Sequence, residues 1–210
     1  MTEQLSMNRI IHAAVRRDVT RTEQALRALP DGDSARARQI QVAWRNLVRE
    51  LTHHHEAEDD NIWPFLEKRG IDRVLLEQME SEHVAMKHAL ASASTAIDAV
   101  VASPTSTQAS AAADEVRECE GVVNRHLEHE ERDVEPIAAE LEDDPEWKAM
   151  TKKLRPASIV DAANALAWMQ DGAGERERTS LRATIPGPVV TLLTLLLARR
   201  YRREVAPAWR

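Results

Sequence analysis

The sequence predicts an all-α fold: an up-down-up-down four-helix bundle with additional C-terminal helices. Three observations carry this reading. Aromatic residues make up 3% of the chain and glycines number only six in 210 residues, a composition poor in strand formers. Apolar residues recur at steps of three and four through four long stretches. Short polar breaks separate those stretches, as they do between antiparallel neighbours in a bundle.

The first helix is expected from about Thr2 to Leu29, with Leu5, His12, Val19 and Leu26 spaced seven apart. "PDGDS" (30–34) is a turn that ends in an N-cap at Ser34. The second helix carries Ile40, Trp44, Leu47, Leu51, His54, Glu58 and Phe65, and Gly70 is a natural C-cap for it. The third follows through Leu75, Met79, His83, Met86, Leu90, Ala93, Ile97 and Val100. After the loop "ASPTSTQAS", the fourth carries Val116, Cys119, Val123, His126, Glu130, Ile137 and Leu141.

Beyond "EDDPEW" the pattern changes, which divides the chain into a bundle over 1–142 and a helical extension over 143–210. Two shorter helices are expected, Glu146–Leu154 and Pro156–Met169. "QDGAGERERTS" reads as a polar linker and hinge. The run from Pro188 to Arg203 then forms an apolar helix. Being apolar on nearly every face, it is expected to bury itself against the bundle or, as a homodimer contact, against a second subunit.

The net charge of −7 argues against a nucleic-acid partner, because phosphate binding needs a basic face. The longest apolar run, Pro188 to Ala198, is well short of the ~20 residues that span a bilayer, which argues against a membrane-spanning helix and for a buried one. An interfacial helix carrying Arg199, Arg200, Arg202 and Arg203 at the headgroups is the secondary reading. Cys119, the one cysteine, forms no internal disulfide and suits a reducing, cytoplasmic setting. Six glycines and no glycine-rich loop exclude a phosphate-cradling motif.

An internal repeat picks out the candidate site. "HHEAEDDNIWP" from His54 and "HLEHEERDVEP" from His126 share a pattern at a constant offset of 72, which pairs His54 with His126, Glu58 with Glu130 and Pro64 with Pro136. The upstream histidines His12 and His83 keep nearly the same offset, 71. The chain therefore reads as two helical hairpins, each with a His on its first helix and His-x-x-x-Glu on its second. Residues four apart share a helix face, so His54/Glu58 and His126/Glu130 fall on the apolar stripes. His53, His55 and Glu56 fit the stripe less well and are expected to be flanking or solvated. His129 with Asp133 is a rival pair that the repeat offset disfavours.

Two carboxylates facing each other in a bundle core cost several kcal/mol unless a cation neutralises them. No lysine or arginine stands on the predicted stripes at that level, so a metal pair is expected. Histidine and carboxylate ligands suit zinc, manganese or iron, and the absence of thiolates argues against a structural zinc site. If both glutamates bridge, each metal gains two imidazoles and two carboxylate oxygens. An oxo or hydroxo bridge makes five ligands and leaves one position open.

These residues resemble the hemerythrin-like, HHE cation-binding family, in its bacterial His, His-x-x-x-Glu, His, His-x-x-x-Glu form. The resemblance spans roughly Met7 to Leu141. It implies a non-heme di-iron centre ligated by His12, His54, Glu58, His83, His126 and Glu130, which binds or reacts with O2, hydrogen peroxide or nitric oxide. The alternative it implies is a non-catalytic oxygen or iron sensor whose C-terminal extension signals or mediates interaction. The oxygen carriers place a further histidine four residues after the third-helix ligand. Lys87 stands there, and His88 falls off the stripe.

Overall fold

The computed structural model describes residues 4–154 and 156–210, and among these it contains helices and no strand. Four long helical segments form the body. They are α1 (Met7–Arg27), α2 (Ser34–Ala57), α4 (Arg73–Ala102) and α5 (Ser106–Asp133). The expected start of the first helix at Thr2 lies outside the described residues. In the structure Ser6 caps α1, its Oγ accepting from the Arg9 amide at 3.1 Å. Asp33, not Ser34, caps α2 by accepting from the Arg36 amide at 2.9 Å. Asp72 and Thr105 cap α4 and α5 in the same way.

The four pack as a ring: α1 lies against α2 and α5, and α4 lies against the same two helices. Their inner faces follow the predicted stripes closely. Val19, Leu26, Ile40, Trp44, Leu47, Leu51, Met86, Ala93, Ile97, Val116, Cys119 and Val123 are all buried in one apolar cluster.

The second helix departs from the expected register. α2 runs directly into a π-helical turn, Glu58–Ile62, and on into α3 (Trp63–Lys68). A π turn inserts one residue into the helical repeat. The next inward position after Glu58 is therefore Trp63, five residues on, followed by Leu66. Phe65, the expected core residue, is only half-buried and packs edge-on against Trp147. The helix ends at Gly70, whose φ of +81° is a left-handed conformation that a side chain would strain.

α5 breaks before Pro136, and α6 (Glu135–Glu140) continues from it. Trp63, Leu66, Leu76, Met79 and Val134 form a second, smaller apolar cluster at this end of the bundle.

The extension comprises α7 (Pro145–Thr151), α8 (Ile159–Gln170), α9 (Glu175–Thr184) and α10 (Gly187–Leu196), followed by short π and 3-10 turns over Tyr201–Val205 and Ala206–Trp209. The expected polar hinge is largely helical: α9 occupies Glu175–Thr184, with Ser180 and Leu181 buried. Buried polar contacts join the extension to the bundle. The Trp168 indole Nε1 donates to Asp18 Oδ2 at 2.9 Å, and Arg17 Nη2 donates to the Trp168 carbonyl at 2.8 Å. Asn164 Oδ1 accepts from the Tyr201 amide at 2.9 Å, and the chain end packs on α2. α10 departs from the burial expected of it. It packs on α8 and α9, while Val189, Leu192, Leu195 and Leu196 remain 45–59% exposed.

Candidate metal centre

Along α2 and its continuation α3, and along α4 and α5, a polar layer lies between the smaller apolar cluster and the main one. It comprises His12 from α1, His54 and His55 from α2, Glu58 from the π turn, His83 from α4, and His126 and Glu130 from α5. Each residue sits between apolar neighbours on its own helix, as His83 does between Met79 and Met86. Every one of the six sequence-predicted residues reaches this layer.

The layer has two halves. In one, His12 Nε2 lies 3.1 Å from His54 Nε2 and 3.2 Å from Glu130 Oε2, and His54 Nε2 lies 3.2 Å from Glu58 Oε1. In the other, His83 Nε2 lies 3.2 Å from His126 Nε2 and 3.5 Å from Glu58 Oε2. His126 Nε2 is 3.8 Å from Glu130 Oε2. Each glutamate thus faces both histidine pairs. In each of two groups, His12/His54/Glu130 and His55/Glu58/His83/His126, the ligand atoms all lie within 4.8 Å of one another, so each group can hold an ion.

His55 corrects the sequence reading. It is buried, and its ring stacks on His83 with centroids 4.1 Å apart. Its Nε2 has no hydrogen-bond partner. The signal was present: His55 is four residues beyond Leu51 and three before Glu58, an ordinary helical step on the buried face. His53 and Glu56 are exposed, as expected.

Sequence reasoning also missed the residues behind the imidazoles. His12 Nδ1 lies 2.8 Å from Glu131 Oε1, His83 Nδ1 lies 2.7 Å from Asp59 Oδ1, and His126 Nδ1 lies 3.0 Å from Glu82 Oε2. A carboxylate on Nδ1 fixes that nitrogen as the donor and turns a lone pair on Nε2 toward the layer's centre. Asp59 and Glu131 hold the same repeat offset, 72, so the pseudo-symmetry extends to these partners. Asn8 Nδ2 donates to Glu130 Oε1 at 3.0 Å, and Arg16 Nη1 donates to Glu131 at 2.6 Å. The rival pair, His129 and Asp133, lies 3.2 Å apart, with His129 bonded through Nδ1 to Glu82 at 2.8 Å.

Without a cation the layer is electrostatically uncomfortable. Burial, reinforced by the nearby Glu130 charge, pushes the Glu58 carboxyl well above its ordinary range. Burial would raise Glu130 too, but its bond to His12 and the surrounding imidazoles pull it well below. Burial pulls His54 down to about 3 and His126 down to about 4. It lowers His55 as well, with the charge of His83 adding to the effect. On His12 burial is outweighed by the bonds to Glu130 and Glu131, so that imidazole is raised. A cation would select neutral imidazoles and ionised carboxylates, displacing the protons that His12 and Glu58 retain without it. Glu58 Oε2, Glu130 Oε2 and His55 Nε2 are all buried with no hydrogen-bond partner. Buried acceptors without hydrogen bonds at this density are rare in folded proteins, and an ion in each of the two groups would satisfy all three.

The family model of the hemerythrin HHE cation binding domain matches residues 9–138. The chain belongs to this family. The match takes in the whole polar layer and all four long helices apart from the first residues of α1. Comparison with curated proteins and with solved structures returned no match. The HHE assignment explains why an otherwise apolar bundle carries so many convergent histidines and carboxylates. Among the described residues, no single helix is long and apolar enough to cross a membrane.

Proposed function

We propose that this HHE protein is a cytoplasmic, up-down-up-down bundle that holds two iron ions and handles a small oxidant: O2, hydrogen peroxide or nitric oxide. The observation that carries the reading is the pair of glutamates, each facing two histidine pairs and each with a buried oxygen that has imidazole nitrogens nearby but no hydrogen bond. On this reading His12 and His54 would hold one ion and His83 and His126 the other, with Glu58 and Glu130 within reach of both. His55 adds a third imidazole to the second half. Manganese or zinc would suit the same donors as substitutes.

Bound iron would supply redox chemistry toward small oxidants. The protein's own residues do the rest. Glu131, Asp59 and Glu82 hold His12, His83 and His126 in orientation through Nδ1. The apolar clusters on both sides exclude bulk water. The layer is buried so completely that a diatomic molecule or peroxide fits it far better than an organic substrate. His12, Glu58, His83, His126 and Glu130 are each 6% exposed or less.

Metal analysis of protein purified without chelator tests the reading, with two irons per chain expected. Hydrogen peroxide should then be converted to oxygen and water by the iron-loaded protein. A folded protein without bound metal would refute the metal centre. Two irons with reversible optical changes on O2 or nitric oxide, and no turnover, would replace catalysis with binding or sensing.

A further inference from the structure

We propose that the outer face of α10 is a docking surface for an anionic lipid bilayer, on which the protein lies without crossing it. The helix is apolar all round but only half of it is used. Val190, Leu193 and Leu197, spaced three and four apart, form the inner stripe that packs into the core. Val189, Leu192 and Leu196, at the same spacing, form the outer stripe, and Leu195 lies beside it. These four outer residues are half of the large apolar side chains exposed among the described residues, gathered on one ten-residue helix. Such clustering marks an interaction surface, since scattered exposed leucines need no explanation.

Charge decides the occupant. Leu195 and Leu196 share one depression with Arg199, Arg202 and Arg203. All three arginines are exposed, and none has an ion-pair partner among the described residues. Glu204, the acidic residue of this stretch, acts on Arg200, which turns the other way to bond Asn46. Residues 175–210 contain eight arginines and three glutamates, net +5 on a chain of net −7, so residues 1–174 carry −12. Of the eight arginines, Arg199, Arg202 and Arg203 stand beside the exposed leucines. A two-fold contact between copies through this face would bring the arginines toward their own counterparts. Anionic headgroups would neutralise them while the leucines enter the acyl boundary. α9 and α10 meet at 102°, so the pair forms no straight span, consistent with a helix that lies in the interface.

The test is flotation of the full-length protein with vesicles of phosphatidylcholine alone, or with about a third of the lipid replaced by phosphatidylglycerol. Binding is expected only to the anionic vesicles and should weaken as salt rises. Leu192→Glu/Leu195→Glu and Arg199→Glu/Arg203→Glu should each reduce it by about tenfold or more. Both pairs are exposed, so unchanged melting and metal content would show that the fold is intact. Equal binding to neutral vesicles, or none to anionic ones, overturns the proposal. A dimer in light scattering that Leu192→Glu/Leu195→Glu disperses would make a second copy the occupant instead.

Discussion

Replacing His55 by leucine separates the needs of the fold from those of the metal. Leucine is the residue the repeat itself places there, since Leu127 is the counterpart of His55 at offset 72. In the metal-free protein, His55 Nε2 is buried without a partner. An unsatisfied buried polar group costs about 1–3 kcal/mol, and leucine removes it. For a chain of this size each kcal/mol moves the melting temperature by about 2–4 °C. His55→Leu should therefore raise the apo melting temperature by ~2–12 °C. With metal the sign reverses, because the His83/His126 half loses an imidazole. Affinity should fall by more than the ~10–100-fold typical of an outer-shell partner. Thermal melts of apo and iron-loaded protein, with a metal titration of each, measure both effects. An apo protein destabilised by the change, or unaltered metal affinity, would refute the role assigned to His55.

Three further outcomes follow from the same geometry. Glu131→Gln should weaken metal binding by about 10–100-fold through His12, less than Glu58→Gln or Glu130→Gln, whereas the exposed Glu56→Ala should leave it unchanged in the same titration. The apo melting temperature should peak near pH 6.5. Below it the unfolded chain protonates His54, His55 and His126, whose folded values are depressed, and together these outweigh the opposing Glu58. Above it the folded chain retains protons on His12 and Glu58, whose values are raised, so stability falls again. Metal loading should flatten this profile and release protons into a weakly buffered solution. Finally, Trp168→Phe should lower stability in urea by about 1.5–3 kcal/mol, because it leaves the buried Asp18 carboxylate without its indole donor. A loss indistinguishable from zero would mean that the extension contributes little to the folded bundle.

The helices were readable because their periodicity is long and regular. α4 shows this best: from Met79 to Val100 every expected inward residue is buried. The six candidate ligands were readable because the repeat made each half of the chain a check on the other. What the sequence hid were departures from regularity. The π turn at Glu58–Ile62 leaves no mark in composition, yet it exchanges Phe65 for Trp63 and Leu66 in the core. His55 was lost in a run of three histidines, where two adjacent positions both suit the stripe. Glu82 lay outside the repeat, since its counterpart at offset 71 is Ile11. α9 reads as linker because its charges and glycine flanks mask a helix of which two residues reach the interior.

The division of the core by the polar layer also bears on how the molecule breathes. The cap formed by Trp63, Leu66, Leu76, Met79 and Val134 contains five buried side chains, against several times that number in the main cluster. So small an apolar unit holds little free energy of its own, and segments of that kind open separately from the rest of a protein. Much of its attachment to the main core runs through the polar layer, where Glu58, Glu130 and His55 have buried atoms without hydrogen-bond partners when no cation is present. In the metal-free chain the segment 58–79 is therefore expected to open before the rest of the bundle, and hydrogen exchange of its amides ahead of those of α1 would show it. Ions held by ligands from all four long helices would tie that segment to the main cluster and should slow its exchange.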